Sequence, residues 1–159
     1  NRFAKSNPTM TIVGLRFFNV YGPGEFFKEK TSSMVIQLAH QILSGNMPRL
    51  FNNSDKIFRD FIYVEDAIQA NIRACNPLKN GTYNVGTGIP RSFKDIVDIL
   101  QKELKTDFAI DYFENPYEDY QNYTQADISS VSENLGFKPN FSLELGIKNY
   151  MTEIKSSFK

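Results

Sequence analysis

Few residues of this 159-residue chain are of the kinds that do chemistry, and their spacing excludes several reactions. Gly22-Pro23-Gly24 and Gly86-Thr87-Gly88 each follow a strand-like run, as a phosphate-binding turn would. A pyrophosphate can approach the backbone closely only where a third small residue completes the pattern. Phe27 and Arg91 occupy those third positions, so both segments read as turns. There is no Gly-x-Ser-x-Gly elbow, and Cys75 reads as an inert thiol in mid-helix among apolar neighbours. His40, in the sequence LAHQI, reads as a surface or helix-end residue rather than a base. One histidine and one cysteine cannot make a structural zinc site of the usual spacing, so no metal is expected. Three further side chains have plain local readings. Lys28 is, on local sequence, a solvated loop lysine. Arg59 reads as a strand arginine paired with Asp60 or Asp66. Tyr120 reads as an aromatic that pins a loop to the core.

Composition narrows the classes further. Eighteen basic residues balance 18 acidic ones, so no global field steers the chain toward nucleic acid or an anionic membrane. The length suits one compact domain with a sizeable core. The single cysteine excludes an internal disulfide and fits a reducing cytoplasm. No apolar run approaches membrane-spanning length, and no charged-apolar-small leader opens the chain. The opening Asn1-Arg2-Phe3-Ala4-Lys5 reads like the tail of a helix, as expected of a truncated chain.

The elements that must position these residues alternate between two periodicities. Thr11 to Phe18 predicts a buried strand ending in a loop at Gly22. Ser32 to Leu43 predicts a helix stopped by Ser44-Gly45-Asn46, followed by extended pieces at Arg49 to Phe51 and Phe58 to Tyr63. Glu65 to Cys75 predicts a second helix with acids in its first turn, where they complement the macrodipole. Thr82 to Val85 is a short strand. Ser92 and Asp95 form a capping-box pattern ahead of a stripe at Phe93, Ile96, Val97, Leu100 and Leu104. Phe108 to Phe113 predicts a strand, Asp127 caps a short helix ending at Gly136, and Ser142 caps the last helix. The class is α/β. The polar stretch Glu114 to Gln125, with three tyrosines, has neither period, and loops of that length are often functional.

Three phrases in order carry a resemblance that no single residue carries: LRFFNVYGP at 15–23, RDFIYVED at 59–66 and YNVGTG at 83–88. Together they resemble the nucleotide-sugar branch of the extended short-chain dehydrogenase/reductase family, from Met10 to Ile154. The linking segments EFFKEKTSSM at 25–34, FNNS at 51–54 and YQNYTQAD at 120–127 resemble those of the ADP-glycero-manno-heptose 6-epimerases within it. The resemblance implies the C-terminal, substrate-binding part of such an enzyme over residues 1–159. Most of the Rossmann domain is then lacking, and residues 9–24 form a strand and loop at the edge of the absent nucleotide-binding domain.

The resemblance further implies transient oxidation of the 6″ carbon of ADP-glycero-manno-heptose by NADP, with return of the hydride to the other face. That reaction supplies a lipopolysaccharide precursor. Lys28 is then the acid/base group, its pKa lowered by partial burial near the nicotinamide. Asn19 contacts substrate, and Val20 with Lys28 borders the cofactor. Phe51, Asn52, Asn53 and Ser54 cradle the ADP, Arg59 meets its phosphates, and Tyr120 closes over the nucleotide. Lys30 and Gln37 stand where the family carries a small hydroxyl residue and a histidine, yet both still donate hydrogen bonds. No tyrosine here is followed four residues later by lysine, so the family's Tyr-x-x-x-Lys motif is absent and the chain alone is expected to be inactive. The resemblance implies a homo-oligomer for the longer enzyme. Two alternatives stay open: a fragment of another nucleotide-sugar epimerase or dehydratase such as a UDP-hexose 4-epimerase, or a catalytically silent assembly module.

Overall fold

The computed structural model describes residues 2–77 and 79–158. After a short helix α1 (Arg2–Ser6), the run predicted as one strand and a loop is two strands in different sheets. β1 (Val13–Phe17) pairs in parallel with β5 (Gly81–Val85), and β2 (Asn19–Tyr21) pairs in parallel with β4 (Phe58–Tyr63). The chain changes sheets at Phe18, whose N–H donates to the Val85 carbonyl at 2.9 Å. β4 also pairs antiparallel with β6 (Pro90–Ser92). β3 (Arg49–Phe51) runs parallel to β7 (Asp111–Phe113), which keeps only the second half of the predicted 108–113 strand.

The helices form where the caps and stripes placed them. α2 (Met34–Leu43) follows a 3₁₀ turn at Phe26–Thr31, and α3 (Val64–Ala74) carries Glu65 and Asp66 in its first turn. α4 (Phe93–Leu104) starts with the predicted capping box: the Asp95 N–H donates to Ser92 Oγ at 3.1 Å, and the Ser92 N–H donates back to Asp95 Oδ2 at 2.8 Å. Two orphan amides are thereby satisfied. α5 (Ser129–Leu135) ends at Gly136, whose φ of 63° a side-chain-bearing residue rarely adopts. The N-cap of α5 is Ile128, not the predicted Asp127, which stands one residue earlier and accepts from the Ser129 N–H at 3.0 Å. α6 (Leu143–Ser157) begins at Ser142, whose Oγ accepts from the Leu145 N–H at 3.2 Å. Cys75 departs from expectation. It is exposed at the C-terminus of α3, where its thiol reaches the Asn71 carbonyl.

Two cores share β4. In the larger, Leu38, Ile96, Leu100, Ile147 and Ile154 bring α2, α4 and α6 together over Phe61 and Tyr63. In the smaller, Ile62 and Val85 meet Ala70 of α3, Val131 of α5 and Phe137. Each such aliphatic side chain contributes about 1.5–3 kcal/mol on full burial. Among the described residues no helix is long and apolar enough to cross a membrane.

Candidate functional site

Side chains alternate along β4, and this sends its two charged residues to different tasks. Asp60, fully buried, accepts from the Thr87 N–H and hydroxyl at 2.7 Å each, the Gly88 N–H at 2.8 Å and the Ala126 N–H at 3.0 Å. The Thr87 and Gly88 amides of the turn are thus taken by a carboxylate rather than open to a phosphate. A Cβ on Gly86 would sit 2.6 Å from Ala126 Cβ and 2.8 Å from Asp60 Oδ2, so the close packing of this knot requires glycine there. Asp66 likewise accepts from the Asn140 and Phe141 N–H groups at 3.0 Å.

Both carboxylates are therefore occupied by backbone, and neither pairs with Arg59. Arg59 lies on the opposite face of the strand, only 9% exposed. Its guanidinium stands 5.1 Å from the Tyr120 ring centroid and 5.9 Å from that of Phe93. It donates to the carbonyls of Phe58, at 2.9 Å, and of Gln121. Among the described residues no ion pair includes Arg59, and the strand salt-bridge reading does not hold. A buried cation held only by carbonyls and rings retains its charge for an incoming anion.

Arg59 lines a cavity of about 310 Å³ together with Asn19, Val20, Lys28 and Tyr120. β2 delivers Asn19, whose amide nitrogen donates to the Asp60 carbonyl at 3.1 Å, and half-buried Val20. The 3₁₀ turn delivers Lys28. It is exposed, not partly buried as expected.

The other sequence-selected residues divide. Phe51 and Gln37 line a neighbouring cavity of about 280 Å³, and Asn52 and Asn53 a third of about 370 Å³. Tyr120 borders all three, held edge-on to Phe51 at 5.4 Å and stacked with Tyr117 at 6.1 Å. Gln37 donates to the Ser32 carbonyl at 2.7 Å. Ser54 is fully buried, so residues 51–54 do not present one continuous surface. The Lys30 side chain lies outside the described set. His40, half-buried, sits beside Ser157 and Phe158, away from these cavities.

Sequence reasoning missed Phe93 and Glu25. Phe93 was assigned to the core stripe, yet it also separates the 310 and 280 Å³ cavities. Glu25 is buried on the wall of the Lys28 cavity, and only its position directly after Gly22-Pro23-Gly24 could have marked it. A further cavity of about 180 Å³ between β6 and the start of α6 holds none of the sequence-selected site residues. The described residues contain no cluster of His, Cys, Asp and Glu able to hold a metal ion.

Residues 1–86 match the NAD dependent epimerase/dehydratase family. Over 99% of its length the chain is 36% identical to the ADP-L-glycero-D-manno-heptose-6-epimerase of Brachyspira hyodysenteriae, covering 51% of that protein. The crystal structure of the Helicobacter pylori ADP-L-glycero-D-manno-heptose-6-epimerase is similar, with TM-score 0.88 and 44% identity, over 98% of this chain and 48% of that one. The UDP-glucose 4-epimerase of Thermotoga maritima, solved with UDP-glucose, gives TM-score 0.89 at 25% identity, over 99% of this chain and 50% of that one. The chain thus spans about half the length of these relatives.

Proposed function

Because the chain belongs to the NAD dependent epimerase/dehydratase family, we propose that it forms the substrate-side half of an epimerase acting on ADP-glycero-manno-heptose. The observation that carries this reading is Arg59: buried, unpaired by any carboxylate among the described residues, and set between two rings beside Lys28 and Asn19. The fold is equally like that of a UDP-hexose epimerase, but the higher identity to the heptose enzyme favours ADP-heptose.

A dinucleotide fits this chain at one end only. Val20 and Lys28 border the cavity where a nicotinamide would lie, whereas Gly22-Pro23-Gly24 leads into a 3₁₀ turn and the Thr87 and Gly88 amides belong to Asp60. We therefore assign the rest of the NADP site to the remainder of a longer protein, with a homo-oligomer and a cytoplasmic setting as parts of the same proposal. When bound, NADP supplies the hydride acceptor and donor. The residues of this chain bind and orient: Arg59 holds the pyrophosphate through its fork, Tyr120 covers the nucleotide, and Asn19 fixes the sugar. Lys28 moves a proton at its Nζ to and from the sugar hydroxyl at the inverted carbon, in a product relevant to lipopolysaccharide synthesis.

The test is turnover by the longer protein. ADP-heptose should be epimerised at the 6″ position while UDP-glucose is left untouched. Turnover of UDP-glucose alone would move the assignment to a UDP-hexose epimerase. Tight binding of neither sugar would leave an assembly module.

A further inference from the structure

The loop that carries Lys28 starts and finishes on one buried carboxylate. Glu25 is 5% exposed, and among the described residues no ion pair includes it. Its Oε1 accepts from the Gly22 N–H at 3.2 Å and the Ser33 hydroxyl at 2.7 Å, and its Oε2 accepts from the Ser33 N–H at 2.6 Å. Gly22 precedes the loop, and Ser33 is the N-cap of α2. The main-chain carbonyl of Glu25 accepts from the Lys28 N–H at 2.9 Å, so the same residue also sets the first turn under the lysine. A second carboxylate, Glu153 of α6, accepts from the Gly24 N–H at 2.7 Å.

Three further features surround this arrangement. Glu29, next to Lys28, has φ 45° and ψ −117°, a left-handed conformation disfavoured for any residue with a side chain and stable only when its flanks are fixed. The Phe26 and Phe27 rings meet at a tilt, centroids 3.8 Å apart, yet are 43% and 77% exposed, so little apolar burial fastens the turn itself. Behind Glu25 lies the fully buried Tyr150, whose hydroxyl has no hydrogen-bond partner of good geometry. Burial, and then the nearby carboxylates led by Glu25, push the ionisation of that hydroxyl up. A buried carboxylate without a cation is a costly choice for closing a loop. Its second oxygen does here what an amide nitrogen cannot, accepting from the Ser33 N–H while the first oxygen joins Gly22 to the Ser33 hydroxyl.

We propose that Glu25 is a positioning residue that pins both ends of the 22–33 loop and so holds the Lys28 amine at the cavity facing Arg59 and Asn19. This rests on the reading of Lys28 as the acid/base group. In the chain itself, Glu25→Gln turns one oxygen into a donor that opposes the Ser33 N–H. Tryptic cleavage after Lys28 should then accelerate about tenfold or more through local opening, with the thermal midpoint little changed. Ser33→Ala, which removes one of the three donors, should give a smaller acceleration and covers the case in which Glu25→Gln does not fold.

In the longer protein, Lys28→Met should lower kcat about 10²–10⁴-fold. Glu25→Gln should lower kcat about 10–100-fold by misplacing the amine, with KM for the ADP-sugar held within about threefold. Added to Lys28→Met, Glu25→Gln should cost nothing further, because both act through one group. Unchanged cleavage in both variants, or a full additive loss in the Lys28→Met background, overturns the proposal. If Lys28→Met leaves kcat intact, it is the functional reading of Lys28 that fails, and cleavage alone then decides whether Glu25 pins the loop.

Discussion

Arg59 has two readings, a strand ion pair and an anion-binding fork, and its surroundings remove the first. The side chain braces Gln121 through one hydrogen bond and keeps its charge unneutralised beside a cavity. Replacing it with alanine should weaken both ADP and ADP-heptose by roughly 2–5 kcal/mol, the cost of losing a partly desolvated charge contact. That is on the order of a thirtyfold to several-thousandfold rise in Kd at 1.4 kcal/mol per decade. Adenosine should bind nearly as before. Titration calorimetry with the three ligands checks this, and equal losses for all three would mean that the arginine only shapes the pocket. The free protein should lose about 1 kcal/mol for the stranded Gln121 carbonyl. The sequence allowed either role because Asp60 and Asp66 are near Arg59 in the chain. It could not show that a strand sends neighbours to opposite faces and that backbone amides already occupy both acids.

The elements hold through a few polar knots, and each is testable. Asp60→Ala should destabilise the chain by on the order of 3–6 kcal/mol, since each buried amide left without its acceptor costs about 1–3 kcal/mol. Chemical denaturation measures this, and Asp60→Asn should fall between. A second knot joins β6, α4 and α6: Arg91 pairs with Asp95 at 3.2 Å and with Glu144 at 2.7 Å. Burial alone would raise both carboxyls. For Asp95 it is outweighed by the Ser92 N–H and Arg91, and for Glu144 by its own N–H and Arg91, so both titrate below the ordinary carboxylate range.

Depressed folded values mean stabilisation that is complete above the unfolded value, near pH 4, and lost as pH falls through the folded ones. Arg91→Gln should therefore cost under about 1 kcal/mol at pH 7, as these groups are partly exposed, and should flatten the loss of stability below pH 4. Thermal melts across pH 2–6 check the slope. Elements were legible wherever a local rule fixed them: the capping box at Ser92, Gly136 after α5, the amphipathic stripes. The break at Phe18 and the shortening of the strand to Asp111–Phe113 were not, because pairing with β5, β4 and β3 decides them and those partners are distant in sequence.

At the scale of the whole molecule, the proposed reading makes this chain one side of a site. Lys28 is exposed, and the β1–β5 pair is a two-stranded sheet flanked by exposed Phe17, Ile68 and Ile72. Alone, the chain should neither carry NADP through gel filtration nor epimerise a nucleotide sugar. Nicotinamide absorbance in the protein peak, or any turnover, would contradict that.

The alternation along β4 also bears on how such a protein can change. Arg59 and Phe61 face the cavities and the larger core, while Asp60 and Ile62 face the turn knot and the smaller core. On the proposed reading, substitutions on the cavity face can therefore retune ligand binding without drawing on the Asp60 knot, and repacking around Ile62 can restore stability without touching the ligand. Traits divided this way along one strand can be selected one at a time, so a lineage could exchange one nucleotide sugar for another without crossing a valley of unfolded intermediates.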